Sequence, residues 1–430
     1  MPRLPLAAPA HRTGPGRIVV APPITTGQIS HAIGVACLGM LIATLPLPTA
    51  MSASDDVLDE SHRSLVDLST RIYPHAKINA DLADLCRRFP DRARLEPVGK
   101  SVWGREIIAL ALGQSGKRPK HRVLIIGNMH AREVHSAPLM VKQIELYLHN
   151  WDRTFKGRRI GELFSENAIY YIPTTNPDGN EIVYDGIRCM EGNTDTWEGQ
   201  CIPHTVPNRE ATMERIKRMI AESAIQVKQF YGRKITPYVF SGKDLVIYKA
   251  NANGVDLHYN FHEPGINSEY ILAQRGKSKF AFSKTSPGTQ GFTGDKGIDQ
   301  PETMAVRDFI ERHALREFSI TYHGRFPKIF YNFTLKWGPD APLEKRAFFK
   351  KVATELAELS GSPLYAEGSG PVGFCGWFQQ KYHALSFNIE TGYEVFNGKP
   401  AYCPLPAEQL PVIWKAQKLV PLQFLLSVGG

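Results

Sequence analysis

The run Val123-Leu-Ile-Ile126 stops abruptly at Gly127, and this break constrains the fold more than any other stretch of the chain. Consecutive apolar, mostly β-branched residues closed off by glycine read as a buried strand. His130 and Glu133 follow the break directly. They therefore stand just past a strand end, where open α/β sheets place their sites. A neutral imidazole and an ionised carboxylate suit a divalent ion such as Zn²⁺, which takes nitrogen and oxygen donors. On its own the pair carries little weight, because a solvated loop holds a His and a Glu at this spacing just as readily.

The same pattern recurs twice. Phe318–Thr321 reads as a strand that runs into His323, and Leu385–Ile389 reads as a strand that runs into Glu390. His130, Glu133 and His323 would make a His₂Glu zinc site with a position left open for water. A metal so held lowers the pKa of bound water to near 7 and polarises a carbonyl. Glu390 would then be the general base, with the apolar strand before it supplying a partly dry setting. No Gly-x-Ser-x-Gly elbow, His-Glu-x-x-His pair or nucleotide-cradling loop occurs.

Between these points the pattern alternates strand and helix. Strands are expected at Glu106–Leu112 and Ala168–Pro173, and on Lys328–Phe333. Helices are expected within 54–95, at Ser136–Asn150, from Pro301 to about Ala314, over 341–360 and over 407–426. Thr174-Thr-Asn-Pro-Asp-Gly179 is a strong turn signal, and Gly370–Trp377 reads as a glycine-rich loop. Residues 180–247 are polar and irregular, with one helix from Arg209 to about Tyr231; they read as an insertion, more a solvated face than a dedicated binding arm. With no internal repeat and no clear linker, 54–430 reads as one α/β domain.

The first 53 residues need a separate account. They contain Arg3, Arg12 and Arg17 but no acid, and Ala32–Leu45 is uncharged, apolar and too short to span a bilayer comfortably. Small residues follow up to Ala53. This is the layout of a secretory leader cut near Ala50 or Ala53, with an uncleaved anchor as the alternative. Export is expected, with no stable membrane span after the leader is removed. The formal charge of +9 favours anionic partners, and no basic-aromatic array points to nucleic acid. Of the five cysteines beyond the leader, Cys189 and Cys201 flank a polar loop and could pair; the alternative is that all five are free thiols.

Taken together and in order, His130-Ala-Arg-Glu133, Asn176-Pro-Asp-Gly179, Gly254-Val-Asp-Leu257, Tyr322-His323 and Ile389-Glu390 resemble the successive signatures of the zinc metallocarboxypeptidases of the carboxypeptidase A type. The resemblance spans about residues 70–425. It implies a mixed parallel and antiparallel central sheet flanked by helices. It also implies one Zn²⁺ on His130, Glu133 and His323, with catalysis by Glu390. Arg132 would help hold the substrate backbone, and Lys249 stands where the family has an oxyanion-stabilising arginine. A cation there has a physical purpose, since negative charge develops on the carbonyl oxygen; lysine offers a point charge where arginine offers a fork. The long insertion looks like the branch containing bacterial γ-D-glutamyl-diaminopimelate peptidases, which cut peptidoglycan stem peptides.

The departures bear on substrate. The family's Asn-Arg pair, which grips a C-terminal carboxylate, falls on His258-Tyr259, and neither is a permanent cation. Endopeptidase action is therefore open. The alternative is that His258 and Tyr259 merely pack and Arg325 takes the carboxylate. The aspartate usual before the tryptophan of the glycine-rich loop is Gly376, and Tyr365 is the nearest counterpart of the family's mobile tyrosine. His135 and His262 read as loop histidines rather than ligands. The expected function is peptide-bond hydrolysis, with cell-wall stem peptides as one candidate substrate. An ordinary protein-digesting carboxypeptidase and a zinc-bearing binding protein without catalysis are the rivals.

Overall fold

Four parallel strands form the centre of the sheet, and nearly every residue along them is buried on both faces. Strands β1 (Ala93–Lys100), β2 (Glu106–Leu112), β3 (His121–Ile126), β4 (Asn167–Ile172), β5 (Phe318–Gly324), β6 (Lys328–Phe330), β7 (Leu364–Tyr365) and β8 (Leu385–Thr391) build one eight-stranded sheet. Their order across it is β1-β2-β4-β3-β5-β8-β6-β7. β4, β3, β5 and β8 run parallel, whereas β1, β2 and β6 pair antiparallel. The computed structural model describes residues 58–192, 196–197, 200–201, 207–231, 245–277, 283–324, 326–331, 343–365, 372–401 and 403–429. These belong to one compact unit.

Alternation along the strands splits the core into two layers. Val123 and Ile125 of β3 join one layer with Ile169, Tyr171, Ile320 and Phe387, while Leu124 and Ile126 join the other with Tyr170 and Ile172. Helices α1 (His75–Arg88), α2 (Ser136–His149), α3 (Ile160–Glu166) and, later in the chain, Leu343–Ser360 cover the first layer. The second is covered by Pro301–His313 and Gly373–Tyr382. In chain order these follow α4 (Pro177–Met190), α5 (Arg209–Tyr231), α6 (Leu257–Asn260) and α7 (Ser268–Gln274), so they are α8 (Pro301–His313), α9 (Leu343–Ser360) and α10 (Gly373–Tyr382). α11 (Leu410–Gln417) and α12 (Val420–Val428) end the chain. None of the described helices is long and apolar enough to cross a membrane.

Several expectations change. Among its described residues the segment 54–95 is helical only over His75–Arg88, and β1 takes its last residues. Asn176-Pro-Asp-Gly179 is not a free turn but the start of α4: Asn176 Oδ1 accepts from Gly179 N at 3.1 Å, with Pro177 in the first turn. The glycine-rich loop becomes helical from Gly373. The final helix is broken into α11 and α12, with Pro421 opening the second. Within the insertion, α5 has a packed face: Met213, Ile216, Met219 and Ile220 are buried with Ala131, Val134 and Tyr248. Cys189 is disulfide-bonded, whereas Cys86, Cys375 and Cys403 are free thiols. The expected leader and Arg325 lie outside the described residues.

Candidate metal centre

The parallel strands end on one edge, and register does the rest. Glu390 of β8 pairs with His323 of β5 in the ladder, so the two last-strand residues are neighbours by construction. Beyond β3, Gly127 lets the chain turn tightly; a Cβ there would lie 2.8 Å from the Pro173 carbonyl oxygen. The loop that follows is clamped from α4. Asn176 Nδ2 donates to Met129 O at 3.1 Å and to Ala250 O at 3.0 Å, and Asn180 Nδ2 donates to Ala131 O at 2.8 Å. The Asn-Pro-Asp-Gly motif thus holds His130 and Glu133 in place. Asp178 in turn anchors α4, accepting from Ser101 Oγ, Trp103 N and Arg105 at 2.7–2.8 Å.

Three side chains converge. His130 Nδ1 lies 2.9 Å from Glu133 Oε1, His323 Nδ1 lies 2.9 Å from Glu133 Oε2, and the two Nδ1 atoms are 3.1 Å apart. All three side chains are buried. Tetrahedral ligation at about 2.0–2.1 Å requires donors roughly 3.3 Å apart, so this triangle fits zinc. Both Nδ1 atoms face each other and the same carboxylate, a meeting of nitrogen and oxygen donors that suits a cation. Burial pushes the Glu133 carboxyl up, but His130 and His323 beside it override this and hold it well below its ordinary range. A looser group also exists: one ring nitrogen each of His130, His258 and His323 lie within 4.8 Å of one another. The tighter set containing Glu133 is the better match to metal–ligand distances.

Asp256 supports the triangle from outside. Its Oδ1 stands 3.2 Å from His130 Nε2, and its Oδ2 accepts from Gly291 N at 3.0 Å. A carboxylate behind a ligating imidazole fixes its tautomer and orientation. Asp256 was visible in Gly254-Val-Asp-Leu257, but nothing in the sequence assigned it this role. His135, read as a loop histidine, also proves structural to the site: its Nε2 lies 2.9 Å from Thr391 Oγ1, which donates to His323 O. His262 is a loop histidine, bonded to Ser268 Oγ at 2.7 Å.

A cavity of about 220 Å³ opens on the triangle. Arg132, Lys249 and Glu390 form its charged wall, and His258, Tyr259, Phe326, Phe330 and Asn388 form the rest. Burial, reinforced by Glu133 and opposed by His323, Lys249 and a hydrogen bond from Asn388, leaves the Glu390 carboxyl pushed up to about 7. Lys249 Nζ is 4.0 Å from Asp256 Oδ2 and stands over the Tyr259 ring. Arg132 donates to Ile247 O at 3.3 Å. His258 is buried and held well below the ordinary imidazole range by burial and by the neighbouring His323 and His130, so it is neutral. Asn388 could have been found from sequence: it lies two residues before Glu390 on a strand and so shares its face. Tyr365 pairs with Phe330 at the sheet edge, and its side chain lies outside the described residues.

Comparison with known proteins agrees with this geometry. Residues 78–400 match the family model for zinc carboxypeptidases. The chain is 21% identical over 345 residues to γ-D-glutamyl-L-diamino acid endopeptidase 1 of Lysinibacillus sphaericus, covering 80% of this chain and 69% of that protein. It is 30% identical over 121 residues to mouse (Mus musculus) carboxypeptidase M, covering 27% of this chain and 26% of that one. In fold it is similar to the carboxypeptidase A of Helicoverpa armigera, with a TM-score of 0.52 at 16% identity over 86% of this chain and 78% of that one. With three metal-suited side chains at one strand edge and a family match over most of its length, the chain belongs to the zinc carboxypeptidase family and is a zinc metallopeptidase.

Proposed function

We propose that this chain hydrolyses the amide bond of a peptide whose C-terminal carboxylate is not required for recognition, with the stem peptides of the cell wall as its substrate class. The observation that carries the catalytic half is the triangle of His130 Nδ1, Glu133 and His323 Nδ1 beside the half-buried Glu390. Those three residues would hold the zinc ion, which when bound lowers the pKa of water and polarises a carbonyl. Glu390 takes a proton from the attacking water and passes it to the leaving amine. Lys249 and Arg132 place positive charge on the cavity wall where the carbonyl oxygen becomes negative.

The substrate half rests on His258 and Tyr259. Both line the cavity, one a neutral imidazole and the other a phenol held well above its ordinary range by burial. Neither offers the charged fork that binds a carboxylate bidentately. The relative of Lysinibacillus sphaericus, named for cleavage at a γ-D-glutamyl-L-diamino acid bond, supports this reading over most of the chain. Export through the expected leader would bring the enzyme to such a substrate. A second reading is favoured by Arg132 and Lys249: two cations in one cavity can also receive a C-terminal carboxylate, as an ordinary carboxypeptidase requires.

Mass spectrometry of products decides among these. The zinc-loaded protein is incubated with a γ-D-glutamyl-diaminopimelate peptide and with α-linked peptides, each with free and amidated C-termini. Cleavage of the γ-linked bond in both forms is the expected result. Release of C-terminal residues from free α-linked peptides alone assigns the carboxypeptidase. No turnover of any peptide, with zinc bound, leaves a binding protein.

A further inference from the structure

A second cavity, of about 250 Å³, lies at the opposite edge of the sheet from the metal centre. Arg122 opens β3 there and His130 lies beyond its far end, so the strand alone separates the two sites by roughly 15–20 Å. Arg94, Lys117, Arg118 and Arg122 line this cavity, and no carboxylate does. Among the described residues, Lys117, Arg118 and Arg122 have no side-chain hydrogen bond or ion pair. Of the nearby acids, Glu96 pairs with Arg94 and so occupies one of the four cations, whereas Glu166 pairs with Arg158 and Lys120, and Glu317 with His121, none of them lining the cavity. Tyr170, buried in the wall, accepts from Arg94 Nη2 at 2.9 Å, which leaves its own hydroxyl hydrogen to donate.

We propose that this cavity is an anion-binding site that takes a phosphate group of a polyol-phosphate polymer. The guanidinium groups of Arg118 and Arg122, the Lys117 ammonium and a phenolic donor, in a pocket whose described lining holds no carboxylate, match the oxygens of a phosphate. The volume is several times the ~30 Å³ share of a liquid water, room for a phosphate with its flanking atoms. The net positive charge that remains once the three arginines of the expected leader are set aside draws such a polymer in. A nucleic acid fits less well, because the aromatic rings here, Phe164 and Tyr170, are buried and offer no base a stacking face. The site is separate from the catalytic edge and does not depend on which peptide is cut there.

Calorimetric titration of the full chain at low salt tests this with three probes: a six-unit glycerol phosphate oligomer, inorganic phosphate, and a six-nucleotide deoxythymidine oligomer. The glycerol phosphate oligomer is expected to bind, and Lys117→Glu with Arg118→Glu to weaken it at least tenfold while melting temperature and peptide hydrolysis stay as in the native protein. Glu390→Gln is expected to bind the oligomer normally. So is Lys350→Glu with Lys415→Glu, an equal charge change at exposed positions elsewhere. Absence of binding, or an equal loss in that control pair, overturns the site. Inorganic phosphate binding as tightly as the oligomer, or the deoxythymidine oligomer binding more tightly, overturns the assignment to a polyol-phosphate polymer.

Discussion

Glu390 shows how one residue's chemistry is set by what surrounds it. Burial and the Glu133 charge push its carboxyl up to about 7, against the pull of His323 and Lys249. A bound cation adds to that pull, so in the metal-loaded enzyme the value lies below about 7. As the proposed base Glu390 must be ionised, so activity is expected to be lost as pH falls through this value. The acidic limb of kcat/KM should lie there, and a limb well above 7 would assign it to another group. Glu390→Gln should keep one zinc per chain while kcat drops about 10²–10⁴-fold; near-native turnover would remove it from the base role. Asp256 acts through His130 instead. Asp256→Asn is expected to weaken zinc binding about 10–100-fold in a chelator competition, with the fold intact; unchanged affinity would show that the 3.2 Å approach does no orienting. That His130, Glu133, His323 and Glu390 meet at one site was legible because each stands at or just past the end of an apolar run. Asp256 was not, because its partner is met only through the folding of a distant loop, and no local pattern records that contact.

At the scale of elements, strands read better than helices and loops. Glu106–Leu112 was placed as found and β3 was misjudged only by its two polar opening residues, His121 and Arg122, whereas β5 and β8 run past their apolar stretches to Gly324 and Thr391 because the ladder between them continues. The helices that were missed begin with signals that also mark turns. Asn176-Pro-Asp-Gly179 is such a case, since the residues that favour a turn also cap and open α4. Gly373 is another: it looked like loop glycine and is the first residue of α10, with φ +75°. A Cβ at Gly373 would overlap His258 Nε2. Gly373→Ala should therefore cost about 1–2 kcal/mol for the left-handed backbone and also push His258 out of its place in the cavity wall. Thermal melting should show the first effect. A rise in KM larger than any fall in kcat should show the second; unchanged KM would mean that His258 does not meet substrate.

The whole molecule converts strand order into a site. Parallel β3, β5 and β8 are neighbours in the sheet but far apart in the chain, and their ends bring His130, Glu133, His323 and Glu390 to one edge. An ion held by His130, Glu133 and His323 would tie the segments after β3 and β5 together. The unfolded chain cannot reproduce that arrangement, so metal binding is linked to global stability. At a free zinc concentration a hundred times the dissociation constant, the ion should add about 2.7 kcal/mol. Chelation should then lower the melting temperature by several degrees, reversibly on adding zinc back. His323→Ala removes a ligand without touching the apolar layers on either face of β5, so it should fold with a native far-ultraviolet spectrum, contain no stoichiometric zinc, and melt at one temperature with or without chelator. If chelation lowers the melting temperature of His323→Ala as far as that of the native chain, the stabilising ion is held elsewhere and His323 is not its ligand.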